Sequence, residues 1–252
     1  MRLIFVDTET NDHPSQRAAL RIVSMTWLVA RLDGVIEKRQ NYLVKPEGFR
    51  IAPGATRIHG ITEDQARKEG RPIKEVLGQW VSDLRAPGDK TLVGHDIQFD
   101  IGVIAAELNR HHFDLAIAGL PTICTMRGGA PVCRLPKARG NGYKNPKLQE
   151  LHLTLFGRPF ADAHTSQADV EATARCFFEL RRRGLFPDLG ATPATRPDRT
   201  PSPAQPEPMH KTIVPCPRCQ RRLRVPASRW LDITCPICRQ RFRQFTGDAR
   251  TE

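Results

Sequence analysis

The stretch LIFVDTET (residues 3–10) decides how the rest of the chain is read. Four apolar residues run directly into acids alternating with threonines. Such a run fits a central strand, buried on both faces, that delivers side chains to the edge of a sheet. On a strand, residues i and i+2 point the same way. Asp7 and Glu9 are therefore expected to project together from the end of a first strand. Alone, an Asp-x-Glu pair is usually a solvated strand end, so its meaning depends on the rest of the chain.

Outward from this strand, RIVSMTWLVARLDGVIEKRQNYLVKP (21–46) reads as a β-hairpin turning at Asp33-Gly34. Thr62 and Gln65 are placed as a capping box for a short helix, EDQARKEG (63–70). Pro72 opens the next helix, IKEVLGQWVSDLR (73–85), in which Ile73, Val76, Leu77, Trp80, Val81 and Leu84 keep helical spacing. TLVGHD (91–96) is a second apolar strand, followed by a helix over 99–108, and TICTM (122–126) is a further strand candidate. Residues 127–146, rich in Gly, Pro, Lys and Arg, read as a mobile basic loop. LQELHLTLFG (148–157) is a helix ended by Gly157. A long helix follows over 169–183, with Val170, Thr173, Ala174, Phe177, Phe178 and Leu180 on its buried side. Strands alternating with helices predict an α/β domain over residues 1–186. A Pro-rich linker over 187–210 separates it from a small cysteine module over 211–247.

Composition excludes some classes. Of 252 residues, 39% are hydrophobic and 26% charged, and no apolar run is long enough to span a bilayer. The first residues read as a strand and not as a signal peptide, so a cytoplasmic protein with no membrane partner is expected. The formal charge of +12 is unevenly spread. Residues 211–252 hold ten Lys/Arg against three Asp/Glu, or +7, while residues 1–187 carry +6. That surplus favours a polyanionic partner, nucleic acid first. Seven cysteines, four of them in two CPxC pairs, fit a metal site in a reducing compartment better than a secreted disulfide framework.

Two further segments carry acids: GHDIQFD (94–100), ending in Asp100, and AHTSQAD (163–169), with His164 and Asp169. Several converging carboxylates are what hard divalent cations require. Two such cations ~4 Å apart can activate water against a phosphodiester. With VDTET (6–10) and IHGIT (58–62), these motifs resemble the DnaQ-like 3′–5′ exonucleases of the DEDDh class, which include the proofreading epsilon subunit of bacterial DNA polymerase III. VDTET matches the first motif of that family, GHDIQFD the second, and AHTSQAD the third, with His five residues before Asp. The resemblance covers roughly residues 1–183.

The resemblance implies a ribonuclease-H-like α/β fold, with a mixed five-stranded sheet flanked by helices. It also implies two Mg²⁺ or Mn²⁺ ions, bridged by Asp7, with Glu9 and Asp169 completing one site and Asp100 the other. His164 would be the general base, a role that a neutral imidazole suits. Thr8, Thr10, His59 and His95 are the implied substrate contacts. Three departures bear on substrate preference: Asp96 for the usual Asn, Cys124-Thr125 for Asp-Thr, and Ser166 for Ala. LQELHLTLF echoes a sliding-clamp peptide, but its amphipathic spacing reads as core packing.

CPRC (216–219) and CPIC (235–238), fifteen residues apart, have the spacing of a Cys₄ zinc site. A closed shell of Cys216, Cys219, Cys235 and Cys238 around one Zn²⁺ is structural, in a zinc ribbon with strands such as RLRV (222–225) and RFRQF (241–245). Arg221, Arg222, Arg224, Arg239, Arg241 and Arg243 are placed to bind phosphates, or else form a solvated face. The reading is a two-metal exonuclease that releases nucleoside monophosphates from 3′ ends of single-stranded or 3′-ended DNA, with a polymerase or repair partner in view. RNA end-trimming is the alternative within the family, and a catalytically silent nucleic-acid-binding adaptor is the alternative outside it.

Overall fold

The structure is a computed structural model and describes residues 1–13, 20–117, 119–161, 163–186, 189, 211–226 and 230–245. Two compact units divide the chain, Met1–Ala191 and Thr192–Glu252. The expected linker 187–210 falls outside the described residues apart from Leu189, as do residues 246–247 of the cysteine module.

In the first unit, β1 (Arg2–Thr10), β2 (Ile22–Arg31) and β3 (Ile36–Leu43) are followed by α1 (Pro53–His59), α2 (Glu63–Glu69) and α3 (Ile73–Arg85). Then come β4 (Lys90–Gly94), α4 (Ile97–Arg110), β5 (Thr122–Cys124), α5 (Thr125–Cys133), α6 (Leu148–Phe156) and α7 (Ser166–Arg182). The five strands form one mixed sheet in the order β3-β2-β1-β4-β5, so β1 is central. It runs antiparallel to β2 and parallel to β4. The hairpin forms as expected, with the Gly34 N–H donating to the Arg31 carbonyl at 3.1 Å.

Strand parity distributes the core. Ile4 and Val6 face a cluster built with Trp27, Trp80 of α3 and Ile104 of α4. Leu3 and Phe5 face the other way, against Val170, Ala174 and Phe177 of α7. The edge-to-face contact of Phe5 on Phe177, centroids 5.4 Å apart, lies in that second layer. Continued along β1, the same parity turns Asp7 and Glu9 toward the α7 side and Thr8 and Thr10 toward the α3/α4 side.

β1 carries Asp7 and Glu9 near its end as expected, and its antiparallel pairing with β2 continues to Glu9↔Ser24 and Thr10↔Ile22. Several expected boundaries shift. β4 stops at Gly94, short of His95 and Asp96. A Cβ at Gly94 would lie 2.8 Å from Ile97 Cδ1 and 3.2 Å from Ile97 Cα, so the missing side chain gives room for the tight turn into α4. Asp96 completes the turn in the left-handed region at φ 75°. The expected strand 122–126 is only three residues long, and the expected loop 127–146 begins as helix α5. Its composition of Gly128, Gly129 and Pro131 argues against helix, yet packing overrides that preference. A Cβ at Gly128 would lie 2.5 Å from Phe186 Cζ, and one at Gly129 2.7 Å from Leu151 Cδ1. The two glycines therefore let α5 lie close against its neighbours. Helix α7 starts at Ser166, three residues before Asp169, because Thr165 caps it by accepting the Ala168 N–H.

The second unit contains two hairpins, β6 (Lys211–Pro215) with β7 (Arg222–Pro226) and β8 (Trp230–Thr234) with β9 (Arg241–Phe245). Both expected ribbon strands are present, each with an additional partner. The side chains of Arg222, Arg224 and Arg243 lie outside the described residues. Among the described residues no helix is long and apolar enough to cross a membrane.

Candidate active site

The site is built at the end of β1. Parallel pairing of β1 with β4 ends at Phe5↔Val93, so the chain from Asp7 onward runs past its neighbour. The Thr8 N–H has no strand partner on that side, and it donates instead to Asp100 Oδ1 at 3.0 Å. The Thr8 hydroxyl donates to the same oxygen at 2.8 Å. Asp100 sits in the first turn of α4, where the helix dipole favours a carboxylate.

On the opposite face, Asp7, Glu9 and Asp169 each offer a carboxylate oxygen within 4.8 Å of the others. Strand parity brings the first two together, and Asp169 arrives on the first turn of α7. Asp100 approaches from α4 and is not part of that three-acid group. It is near enough that, after burial, its charge is the largest influence raising the Asp7 carboxyl well above the usual carboxylate range. Burial, then the charges of Asp169 and Asp100, push Glu9 up to about 8. Burial pushes Asp100 up to about 7 against the two hydrogen bonds from Thr8, which favour its ionised form. Asp169 is raised by burial as well, opposed by the His164 N–H. Acids held together at this cost fit cations that neutralise them, and their hard oxygen donors suit Mg²⁺ or Mn²⁺.

His164 lies on an exposed turn before α7, in the left-handed region at φ 70°. Its backbone N–H points at both oxygens of Asp169, each at 3.3 Å. That bond ties the turn to the acid cluster.

The residues implied as substrate contacts have varied surroundings. Thr8 is committed to Asp100, and the Thr10 hydroxyl donates to the Asp12 carbonyl at 3.1 Å. His59 is buried, with Nδ1 accepting the Ile61 N–H at 3.0 Å and Nε2 unpartnered among the described residues. His95 is held at both nitrogens, by Thr125 Oγ1 and the Pro146 carbonyl, each at 3.0 Å. Burial lowers its pKa, and the Pro146 carbonyl, which can only accept, places a proton on Nε2, while the Thr125 hydroxyl also reaches the Gly94 carbonyl at 3.2 Å. His95 thus anchors the segment before α6.

One part of the site was missed in the sequence. The Ser166 hydroxyl lies 2.7 Å from that of Ser24 and 2.8 Å from that of Thr26. Thr26 donates to Asn41 Oδ1, and Asn41 donates to Gln167 Oε1. One consistent hydroxyl order runs Ser24 to Ser166 to Thr26 to Asn41, which pins the start of α7 to β2 and β3. The only sequence signal was Ser166 itself, a departure from the third motif. Beside this network lies an open cleft of about 720 Å³, lined by Tyr42, His59, Arg71 and Gln167 among others. That volume lies in the range of small-ligand sites.

In the second unit, the four Sγ atoms of Cys216, Cys219, Cys235 and Cys238 lie within 4.8 Å of one another. The pairs Cys216–Cys238 and Cys219–Cys235 are both 3.6 Å apart. Four thiolates ~2.3 Å from a tetrahedral zinc ion would be about 3.8 Å apart, so the cluster fits that ion. The Cys238 N–H, aided by that of Ile237, outweighs burial and holds the Cys235 thiol down to about 6.

Comparison with known proteins agrees with this geometry. The PolC-type DNA polymerase III of Streptococcus pneumoniae serotype 2 is 28% identical over 131 residues, covering 52% of this chain and 8% of that protein. The PolC-type enzyme of Streptococcus mutans serotype c is 30% identical over 131 residues with the same coverage. Among solved structures, E. coli exonuclease I in complex with a dA16 oligonucleotide superposes with a TM-score of 0.59 at 19% identity, over 72% of this chain and 41% of that one. Exonuclease I from Methylocaldum szegediense gives a TM-score of 0.59 at 23% identity, over 72% and 40% of the two chains. These structural likenesses establish the fold, a ribonuclease-H-like exonuclease fold with a mixed five-stranded sheet. The family model described as Exonuclease matches residues 4–177, and the chain belongs to that family.

Proposed function

We propose that the chain is a 3′–5′ exonuclease that releases nucleoside monophosphates from DNA ends, using two divalent cations of the Mg²⁺ or Mn²⁺ type. The observation that carries this reading is the approach of Asp7, Glu9 and Asp169 to within 4.8 Å at the end of the central strand. Asp7, Glu9 and Asp169 would hold cations there, with Asp100 contributing from the α4 side. When bound, such cations supply positive charge to the scissile phosphate and acidify the attacking water. His164, exposed on its turn, takes the water's proton on an imidazole nitrogen. Thr8 orients Asp100 through two hydrogen bonds to one oxygen and leaves the other oxygen for a cation. His59 and the adjoining cleft would receive the terminal nucleotide. DNA is favoured because the relatives matched are DNA polymerases and the structural neighbours include exonuclease I bound to oligodeoxynucleotides.

The remaining assignments follow from the same reading. Residues 1–186 form the catalytic domain, 187–210 a linker, and 211–247 a ribbon holding one structural Zn²⁺ on its four cysteines. The test is cleavage by the full chain of 3′- and 5′-labelled single-stranded DNA and RNA with Mg²⁺ or Mn²⁺. Stepwise release of mononucleotides from the 3′ end of DNA is expected. Release from the 5′ end, or undiminished cleavage by Asp7→Ala, would overturn the reading.

A further inference from the structure

The segment from Arg127 to Lys147 carries six Lys/Arg and no Asp/Glu, and the acid cluster leaves it without a role. After α5 it folds into a compact loop. An isolated bridge joins Pro136 to Tyr143, and the Lys144 N–H donates to the Leu135 carbonyl at 2.8 Å. Gly140 and Gly142, at φ 79° and 95°, turn the tip. The loop is tied at its far end, where His95 Nε2 holds the carbonyl of buried Pro146. His95 directly precedes Asp96, which opens the helix carrying Asp100. The loop therefore returns to the carboxyl end of β4, beside the acid cluster.

What the loop presents is unusual for a surface turn. Tyr143 is 46% exposed at the bridge. Lys137 and Arg139 are exposed, and neither joins an ion pair among the described residues. Lys144, by contrast, is spent on Glu150 at 2.6 Å. Cations outside any ion pair, set around an exposed aromatic ring, match the chemistry of a single strand, whose phosphates need positive charge and whose base faces are open to stacking. A duplex keeps its base faces inside the stack, where Tyr143 could not reach them.

We infer that residues 134–147 form a secondary binding surface for single-stranded DNA upstream of the 3′ end, with Lys137 and Arg139 on phosphates and Tyr143 stacked on a base. The inference rests on the exonuclease reading above and extends it from the cleaved bond to the strand behind it. These residues touch no acid of the cluster, so they act on strand affinity and not on bond cleavage.

The test compares the full chain with the double variant Lys137→Ala/Arg139→Ala and with Tyr143→Ala and Tyr143→Phe. Each is assayed on a trinucleotide and on a strand of about 20 nucleotides, the length at which several stacking and phosphate interactions can form together. On the long strand the double variant should raise KM, and its log–log salt slope should become shallower by ~0.7 for each phosphate that is no longer neutralised. Tyr143→Ala should raise KM on the long strand by about 5–150-fold, the worth of one stacked base, and Tyr143→Phe should restore it. Turnover of the trinucleotide should stay at the wild-type level in all variants. Wild-type KM and salt slope on the long strand would make the loop a solvated face and overturn the inference. So would an equal loss on both substrates, which would place the effect in the cleavage site. A wild-type chain inactive on every single strand would overturn the exonuclease reading itself, and this inference with it.

Discussion

Thr8 and Asp100, 92 residues apart, share two hydrogen bonds on a single carboxylate oxygen, one from the backbone N–H at 3.0 Å and one from the hydroxyl at 2.8 Å. The bond exists because β4 ends early and leaves the edge of β1 open. Thr8→Ala keeps the backbone bond and removes the hydroxyl. Loss of such a supporting bond typically costs 10–100-fold in metal affinity or activity. Thr8→Ala should therefore weaken Mn²⁺ binding by about that factor in a calorimetric titration, and Thr8→Ser should recover most of it. Unchanged binding in Thr8→Ala would show that the backbone bond alone positions Asp100.

The acid cluster sets the pH response of the metal-free protein. Asp7 is well above its ordinary range, and Glu9 and Asp100 are pushed up to about 8 and about 7. Each binds its proton more tightly folded than unfolded, so the folded state holds more protons between about pH 4 and 8. Metal-free stability should fall as pH rises through that window, whereas Mg²⁺ affinity should rise as protons give way to the cation. Asp7→Asn removes one charge from the crowd. It should abolish cleavage while raising the metal-free Tm and flattening its fall with pH, with about 2–4 °C for each kcal/mol relieved. A Tm that drops in Asp7→Asn at pH 8 would mean that the cluster is not under repulsion.

The part of this site that sequence made legible is the part written in local pattern. Asp7 and Glu9 share a face because a strand alternates, and apolar LIFV identifies the strand. The hairpin at Asp33-Gly34, the Thr62 cap and the helix after Pro72 are equally local. What could not be read depends on contacts between distant segments. The helix α5 hides behind Gly128, Gly129 and Pro131, whose composition signals a loop, and only Leu151 and Phe186 explain the close packing. Asp100 comes to Thr8 because a neighbouring strand stops at Gly94, which no feature of β1 announces.

Ser166 shows the same limit and yields its own test. Its partners Ser24 and Thr26 lie 142 and 140 residues away, so the substitution of Ser for the family's Ala read only as a departure. Ser166→Ala leaves buried hydroxyls of Ser24 and Thr26 short of a partner. Such a loss costs about 1–3 kcal/mol, visible as a lower denaturation midpoint in urea. Because the network holds the start of α7, kcat should fall with stability, while KM for a trinucleotide stays near its wild-type value. A variant with unchanged midpoint and kcat would show that the hydroxyl chain does not position the helix.

His164 can be tested apart from the metal ligands. Its exposed turn is joined to Asp169 through its backbone N–H, so His164→Ala preserves that bond. Metal binding should persist, and the rate should fall by ~10²–10⁴, the usual worth of a general base. Near-wild-type turnover in His164→Ala would remove it from the mechanism.

The cysteine module should govern how nucleic acid is held and not the chemistry. Among the described residues its buried core is Val214, Cys216, Leu223, Ile233 and Cys235, and two of these are members of the four-cysteine cluster. Two-stranded hairpins are marginal by themselves. A metal ion on the four cysteines would therefore carry much of this unit's stability, and a zinc chelator should unfold the unit while the first unit keeps its own melting transition. Arg218, Arg221, Arg239 and Arg241 are exposed on the knuckles and strand ends. Deleting residues 211–252 should leave kcat on a short saturating substrate unchanged and weaken binding of long strands. The log–log salt slope should become shallower by ~0.7–0.9 for each phosphate the module had neutralised. Unchanged affinity and slope in the truncated protein would assign the arginines to a solvated face and direct the search to a protein that docks there.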